Sequence, residues 1–284
     1  MPMLRTTREV RALRPHERAQ ALALCARDPA AYVYVAARLA ETDLHRTRGP
    51  LLAYCPEGRI EALCWQSANL VPVECDAAAA AAFAAKVRRQ QSQFSSVFGM
   101  DAQVEALWNQ LRVWWREPMD IRADQPLLVM EEDAPLGAPV DDRVRPATPS
   151  ELELIVPAAA AMFTEEIGYA PYSDGPSRRT YINSTRALIE RGHCLRIVEN
   201  DEVIFKAELG SVALGTCQVQ GVWVAPSRRG EGLSVPAMAA VVAYARAHIA
   251  PLVTLYVNAY NVAAIATYAR VGFTQRATFS TILL

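Results

Sequence analysis

The 284-residue sequence contains little lysine, few histidines and no long apolar run. Lysine occurs only at Lys86 and Lys206, so arginine supplies the other 27 of the 29 basic side chains. The basic residues balance 30 acidic ones and leave a formal charge of −1, which argues against a protein that coats nucleic acid. The longest apolar stretch, 235–245, is too short to cross a bilayer, which needs about 20 residues.

The six cysteines and four histidines are scattered along the chain. No Cys-x-x-Cys pair occurs and no cysteine has metal-ligand spacing from a histidine, so we expect neither a disulfide scaffold nor a metal site. Residues 1–14 are charged and lack the apolar core of a signal peptide. We therefore expect a cytoplasmic protein with no membrane or nucleic-acid partner.

An acidic segment with two prolines and one glycine, 131–142, separates two parts of similar length. This composition favours an exposed connector. We predict a first domain over 1–130, a linker over 131–142 and a second domain over 143–284.

The second part has clear helix and strand patterns. Its predicted order is two helices, three strands, a helix, a strand, a helix and one or two final strands. The segments are 151–163, 178–191, 195–199, 203–209, 216–224, 235–248, 253–257, 263–270 and 273–284. This order is a meander followed by a βαβ crossover, and such a crossover joins parallel strands. The predicted fold class is therefore α/β with a mixed sheet.

A turn with two glycines joins the predicted strand 216–224 to the predicted helix 235–248. Successive backbone N–H groups ahead of a helix bind anions, and glycine lets a phosphate approach closely. Arg229 adds a charged fork for phosphate oxygens, and Ser234 can cap the helix. The turn lacks the lysine of a P-loop and the third glycine of a dinucleotide fingerprint, so by itself it fits an ordinary turn equally well.

A second motif, N-x-x-A-x-x-x-Y-x-x-x-G-F, follows about 35 residues later. Its residues are Asn261, Ala264, Tyr268, Gly272 and Phe273. Together with V-x-V-x-P and R-x-x-G-x-(G/A) patterns at 222–234, it resembles the GNAT superfamily of acetyl-CoA-dependent N-acetyltransferases over about 143–284. Ser234 stands where glycine or alanine is usual in that pattern.

The resemblance implies a GNAT fold whose central strands, 216–224 and 253–257, splay apart and hold the pantetheine arm of acetyl-CoA. It places pantetheine along the backbone of Val222, Trp223 and Val224. Asn261 would hydrogen-bond the same arm, and Tyr268 would point at the thioester sulfur. The pyrophosphate would lie on the loop amides, which belong to Arg229, Gly230, Glu231, Gly232, Leu233 and Ser234.

Attack of an amine on a thioester expels a thiolate, which needs a proton. A phenol with a pKa of ~10 keeps its proton at pH 7 and can donate it, so Tyr268 is the candidate general acid. A lysine-like amine must first lose a proton, at a cost of about 4–5 kcal/mol at pH 7. Glu165 and Glu166, at the end of the first helix of the second part, are candidate bases, and Glu208 is a weaker one. A core role for Tyr268, helix capping by Asn261 and a solvated helix end for the glutamates remain open.

The first part shows helix, hairpin, helix and strand in that order, which predicts an α/β domain. The chain resembles actinobacterial two-domain GNAT proteins whose N-terminal half has diverged, and this order permits a degenerate copy of the same fold. No R-x-x-G-x-G loop occurs before residue 130, so we expect no cofactor there. Trp108, Trp114 and Trp115 lie on a predicted helix, 104–115, where they pack in the core, line a pocket or form a partner surface.

The leading interpretation is an N-acetyltransferase that uses acetyl-CoA and no metal, with a small molecule or a protein amine as acceptor. An acyl-CoA-binding sensor without turnover is the alternative, and a mycothiol synthase-like enzyme is a narrower version of the first. Two similar halves fit a monomer with an internal pseudo-dimer, or a homodimer. The sequence does not name the acceptor.

Overall fold

The computed structural model describes residues 9–45 and 49–284, which divide into two compact units. Unit 1 contains the chain up to Leu128 together with Tyr256–Asn261 and Gln275–Leu284. Unit 2 contains Val129–Leu255 and Val262–Thr274. The predicted linker falls within unit 2, and the predicted domain limits at 130 and 143 remain a prediction.

Unit 1 is a sheet with helices between its strands. Its sheet order is β1-β2-β3-β4-β5-β12-β6, with β1 to β4 antiparallel, β5 parallel to β4, and β12 antiparallel to β5. The elements in chain order are β1 (Val10–Ala12), α1 (Arg18–Cys25), α2 (Pro29–Glu41), β2 (Leu51–Tyr54), β3 (Ala62–Gln66), β4 (Asn69–Val73), α3 (Ala77–Val87), β5 (Ser96–Met100), α4 (Asp101–Leu111) and β6 (Asp120–Met130), with β12 (Thr274–Leu283) joining from the far end of the chain.

The helices of unit 1 begin where the sequence supplies caps. The Asp28 carboxylate accepts from the Ala31 N–H ahead of α2, and Asp76 does the same for Ala79 ahead of α3. Such caps stabilise a helix by about 1 kcal/mol each. The alanine-rich α3 packs its buried face, centred on Phe83, into the core of this unit.

Unit 2 repeats the same arrangement. Strands β7 to β10 are antiparallel, and β11 lies parallel to β10. The elements are β7 (Arg145–Pro146), α5 (Leu152–Ile167), α6 (Gly175–Glu190), β8 (Cys194–Glu199), β9 (Glu202–Ala213), β10 (Thr216–Val224), α7 (Ser234–His248), β11 (Leu252–Tyr256) and α8 (Val262–Val271).

The element order is therefore the same in the two halves of the chain, β1 to β6 and β7 to β12: strand, two helices, three strands, helix, strand, helix, strand. The last strand of the second half, β12, belongs to unit 1. In each case a helix connects two parallel strands after an antiparallel meander. The predicted α/β fold class with a mixed sheet is confirmed, and the repeat supports the interpretation of the first half as a second copy of one fold.

The described ranges, 9–45 and 49–284, lack two kinds of feature. No helix there is long and apolar enough to span a membrane. No cluster of three or more histidine, cysteine or acidic side chains there could hold a metal ion.

Candidate active site

Two neighbouring parallel strands of unit 2, β10 and β11, pair over only part of their length. The register between β10 and β11 runs from Thr216 opposite Leu252 to Gln218 opposite Thr254. Strand β10 then continues to Val224. The backbone edge of its last six residues is thus not paired with β11, which agrees with the splayed geometry that the resemblance implied.

A β-bulge in β10 directs this separation. Gln220 lies opposite Glu208 and Trp223 opposite Lys206, so two residues of β10, Gly221 and Val222, face one residue of β9. The extra residue bends the strand and increases its twist. Gly221 has a φ of +57°, which only glycine adopts without strain.

A buried lysine holds the bulge. The Lys206 side chain is fully buried, and its Nζ donates to the Gly221 carbonyl at 2.9 Å and pairs with Glu208 Oε1 at 2.8 Å. A Cβ on Gly221 would lie 3.0 Å from Glu208 Oε2 and 3.1 Å from Lys206 Nζ. A buried charge needs such partners, because an uncompensated one is very costly. Glu208 is a candidate from the sequence, whereas Lys206 is not, although a rare lysine inside an apolar strand is a recognisable signal.

The loop after β10 leads directly into α7. Gly230 and Gly232 have φ values of +81° and +78°, and a Cβ on either glycine would meet no heavy atom within 4 Å. Within the described part of the chain, the N–H groups of residues 230–233 donate no backbone–backbone hydrogen bond of normal geometry. Free amides, open space and the N-terminus of a fifteen-residue helix together form a site that suits an anion.

Ser234 does not cap α7, which corrects the sequence expectation. The helix begins at Ser234 itself, with Leu233 at the N-cap position. The Ser234 hydroxyl instead lies 3.0 Å from the Thr267 hydroxyl of α8. This contact links the start of α7 to the helix that carries Tyr268.

The two arginines of the loop are both engaged with carboxylates. Arg228 pairs with Glu199 at 2.6 Å and with Glu231 at 2.8 Å, and the Glu199 hydrogen bond is the main cause that raises the pKa of Arg228. Arg229 pairs with Glu165 at 2.6 Å and also donates to the Val224 carbonyl at 3.0 Å.

Three predicted site residues therefore meet at one place, because the Trp223 indole N–H also donates to Glu165, at 3.2 Å. The Arg229–Glu165 pair is nearly half exposed on both sides. Exposed pairs of this kind contribute about 0–1 kcal/mol, so a phosphate group could replace Glu165 at Arg229 at little cost.

Tyr268 lies in α8 with 7% of its surface exposed and makes an edge-on contact with Phe273. Burial is the main cause that raises the pKa of Tyr268 above its ordinary value of about 10, and the charge of Glu166 adds to it. The phenol therefore keeps its proton at neutral pH. Glu166 is in the last turn of α5, next to Glu165.

Asn261 immediately precedes α8 and belongs to the segment of the chain that is grouped with unit 1. Its backbone N–H donates to the Asn258 carbonyl at 2.8 Å. Its assignment to the pantetheine arm remains a prediction.

Aromatic residues cluster between α5 and α6. Phe163 contacts Tyr169 at a centroid distance of 5.9 Å, and Tyr172 contacts Tyr181 at 5.6 Å. Burial, followed by the charge of Glu208, raises the pKa of Tyr181. Because the charge of Glu208 changes the pKa of Tyr181, the buried Lys206–Glu208 pair of β9 lies on the side of the sheet that α5 and α6 cover.

Unit 1 is different at the equivalent loop, which follows β4. The Cys75 N–H already donates to Gln103 Oε1 at 3.1 Å, and Asp76 caps α3. Glu74 beside them pairs with Arg27 at 2.7 Å. This loop therefore carries carboxylates at the position where unit 2 presents free backbone amides. Their negative charge would repel an anion.

Parallel strands that pair over part of their length, an open loop before the connecting helix and a buried phenol are the features that the GNAT resemblance implied for this unit. Residues 159–273 match the family model "Acetyltransferase (GNAT) family", and residues 49–155 match "Domain of unknown function (DUF4081)". The chain thus contains a GNAT-family acetyltransferase domain, preceded by a DUF4081 domain.

Solved structures show that the fold extends over the whole chain. A Drosophila protein has a TM-score of 0.63 at 15% identity, covering 97% of this chain and 98% of its own. A GCN5-related N-acetyltransferase from Sphaerobacter thermophilus has a TM-score of 0.59 at 16% identity, covering 96% and 95%. A GNAT-family acetyltransferase from Colwellia psychrerythraea has a TM-score of 0.57 at 12% identity, covering 97% and 99%. No curated protein matches the chain.

Proposed function

We propose that the protein transfers an acetyl group from acetyl-CoA to a primary amine. The observation that carries this proposal is the set of free backbone amides at 230–233, which face open space beside the parted edge of β10. A diphosphate on a flexible arm fits both features at once, because the amides suit its phosphates and the strand edge suits its amide-containing arm.

In this proposal the backbone of Val222, Trp223 and Val224 binds the pantetheine arm, and Asn261 adds a side-chain hydrogen bond to it. The pyrophosphate lies on the amides of residues 229–234. Arg229 releases the Glu165 carboxylate and binds a phosphate oxygen instead. The unpaired edge of β10 and the positive φ values of Gly230 and Gly232 support these roles.

Acetyl-CoA supplies an activated thioester, so that a nitrogen–carbon bond to the acceptor forms as the carbon–sulfur bond breaks. Tyr268 donates its phenolic proton to the departing sulfur, and its raised pKa keeps that proton available. Glu165 and Glu166 are the candidates to accept the proton of the amine; Glu165 can do so once Arg229 has released it for a phosphate oxygen.

The experiment measures CoA release by chromatography over a panel of amines, with the parent protein and Tyr268→Phe. We expect release with at least one amine and a loss of roughly 10²-fold in rate for the variant. Tyr54→Phe is the matched control, since Tyr54 is a similarly buried tyrosine in unit 1. Tight CoA binding without release for any amine would instead establish the sensor, and absence of CoA binding would refute both.

A further inference from the structure

Exposed apolar side chains are concentrated in one short segment of unit 1. In the described ranges, eight large hydrophobic residues are exposed, and four of them fall between residues 113 and 121. They are Val113, Trp114, Met119 and Ile121. Val113 is 73% exposed and Trp114 54% exposed. A cluster of this kind marks an interaction surface, whereas isolated exposed hydrophobic residues are normal.

Two adjoining cavities form a groove along this segment. One has a volume of about 400 Å³ and includes Val113 and Ile121 in its lining, and the other has a volume of about 940 Å³ and includes Trp114. Residues 115–117 line both cavities. An extended ligand that crosses this shared wall can place one group in each cavity.

The shared wall is fixed before any ligand binds. Trp115 is buried, its indole N–H donates to the Arg88 carbonyl at 2.9 Å, and its ring stacks on Phe94 at 5.8 Å. The Gln91 side chain accepts a hydrogen bond from the Arg116 N–H and donates one to the Arg116 carbonyl. A preformed wall lowers the entropy that binding must overcome.

The groove is positively charged although the whole chain carries −1. Its lining contains one acidic side chain, Glu117, the last residue Leu284 with its backbone carboxylate, and four guanidinium groups, those of Arg88, Arg89, Arg112 and Arg116. Over the described residues, none of the four forms an ion pair with a carboxylate. Arg88 lies instead over the Trp114 ring, at 5.0 Å. Nearby, Asp120 is paired with Arg122 and adds no net charge.

We propose that this groove binds an extended acidic segment of a partner protein. Its carboxylates pair with the four arginines, and two of its apolar side chains enter the two cavities. Tryptophan, methionine and arginine are the residue types that dominate protein interfaces. The aliphatic side chains at 113 and 121 argue against a nucleic acid, because a nucleic acid offers little aliphatic surface to pack against them. The concave shape of the groove argues against a flat lipid surface.

The test measures binding of a fluorescein-labelled peptide of glutamates with two spaced phenylalanines, by fluorescence anisotropy on the full chain. We expect binding that weakens with salt and that falls by at least ~tenfold in Trp114→Ala and in Arg116→Glu. Arg59→Glu, an exposed arginine in the turn between β2 and β3, should bind normally. Because Trp114 is exposed, its truncation should not unfold the protein. Circular dichroism of each variant checks that a loss of peptide binding is not a loss of folding.

Three outcomes would overturn the proposal. The peptide does not bind, it binds the variants as well as the parent, or the same peptide with lysines in place of glutamates binds equally well. Phosphatidylserine vesicles or oligo-dT that bind more tightly than the peptide, with loss in both variants, would assign the groove to a lipid or a nucleic acid instead. Failure of this test leaves the proposed acetyltransfer in unit 2 unaffected, because none of these residues belongs to its site.

Discussion

At the scale of single residues, Lys206 is the side chain whose environment is most unusual. It is one of two lysines in a chain of arginine-rich composition, and it is fully buried between a carboxylate and a backbone carbonyl. The compact ammonium fits a space that Gly221 leaves free. A planar guanidinium has a different shape and different hydrogen-bond directions, so arginine is not an equivalent residue here.

Lys206→Met should destabilise the protein by about 3–5 kcal/mol, because it leaves the Glu208 carboxylate buried without its partner. The double variant Lys206→Met with Glu208→Leu should recover most of this loss, since both charges are then absent. Urea unfolding of the parent and both variants measures the difference. Equal stability of the single and double variants would contradict this account of the pair.

Tyr268 leads to a prediction about pH. Burial raises its pKa above about 10, so its reactive, protonated form persists throughout the neutral and mildly alkaline range. The rate of the parent enzyme should rise with pH as the acceptor amine loses its proton, with no descending limb below about pH 10. A profile of kcat against pH, with acetyl-CoA saturating, measures this. A fall in rate near pH 8 that disappears in Tyr268→Phe would show that the phenol titrates early.

At the scale of elements, the loop before α7 offers a matched pair of glycines. Gly232 and Gly215 have φ values of +78° and +68°, and both face open space. Alanine at either position should cost about 1–2 kcal/mol of backbone strain. Only at Gly232 would the new methyl group also occupy the space in which the phosphates of CoA bind in the proposed function.

We therefore expect Gly232→Ala to raise the dissociation constant for CoA by at least ~tenfold and Gly215→Ala to leave it unchanged. Isothermal titration calorimetry gives the constants, and thermal unfolding should show similar losses of stability for both variants. Equal CoA affinity in the two variants would remove the loop from the binding site.

The sequence predicted the elements of unit 2 better than those of unit 1. Strand β10 has the predicted bounds, Thr216–Val224, because it alternates and ends at a glycine-rich turn. Helix α2 was not predicted, although Asp28 and Pro29 at its start are recognisable signals. Eight of its thirteen residues are buried, so its polar face is narrow and its helical period is weak in the sequence. Strand β4 contains Pro72, which weakens a strand assignment.

The site residues also differ in how well the sequence predicts them. The loop and Tyr268 follow local motifs, which a sequence displays directly. The pair between Arg229 and Glu165 joins residues 64 positions apart, and the contact of Lys206 with Gly221 depends on a bulge. Long-range partners and strand irregularities are set by tertiary packing, and no periodicity in the sequence encodes them.

At the scale of the whole molecule, the two units share an element order but differ at the loop that would bind CoA. Unit 1 has Cys75 hydrogen-bonded and Asp76 capping its helix, whereas unit 2 leaves its amides free. We expect one CoA per chain by calorimetry, and weaker binding with no second site in Gly232→Ala. Two CoA molecules per chain in the parent would refute the assignment of binding to unit 2 alone.

Strand β12 leads to a further prediction at this scale. It pairs with β5 from Phe279 opposite Met100 to Leu283 opposite Ser96, and Ile282 lies in the core of unit 1. Deleting residues 275–284 should therefore destabilise unit 1 although the deletion is distant in sequence. Four of the five tryptophans, at 65, 108, 114 and 115, are in that unit, so a red shift of tryptophan emission would report it. Unchanged emission and unfolding temperature would contradict this role for β12.

This strand also constrains biosynthesis. The ribosome makes β5 roughly 180 residues before its partner, an interval on the order of ten to thirty seconds at ~5–20 residues per second. Throughout that time the nascent first half exposes a bare strand edge, which can pair with other chains. A polypeptide stalled short of residue 275 should accordingly be a substrate for chaperones or a seed for aggregates, even with all of its own N-terminal sequence complete.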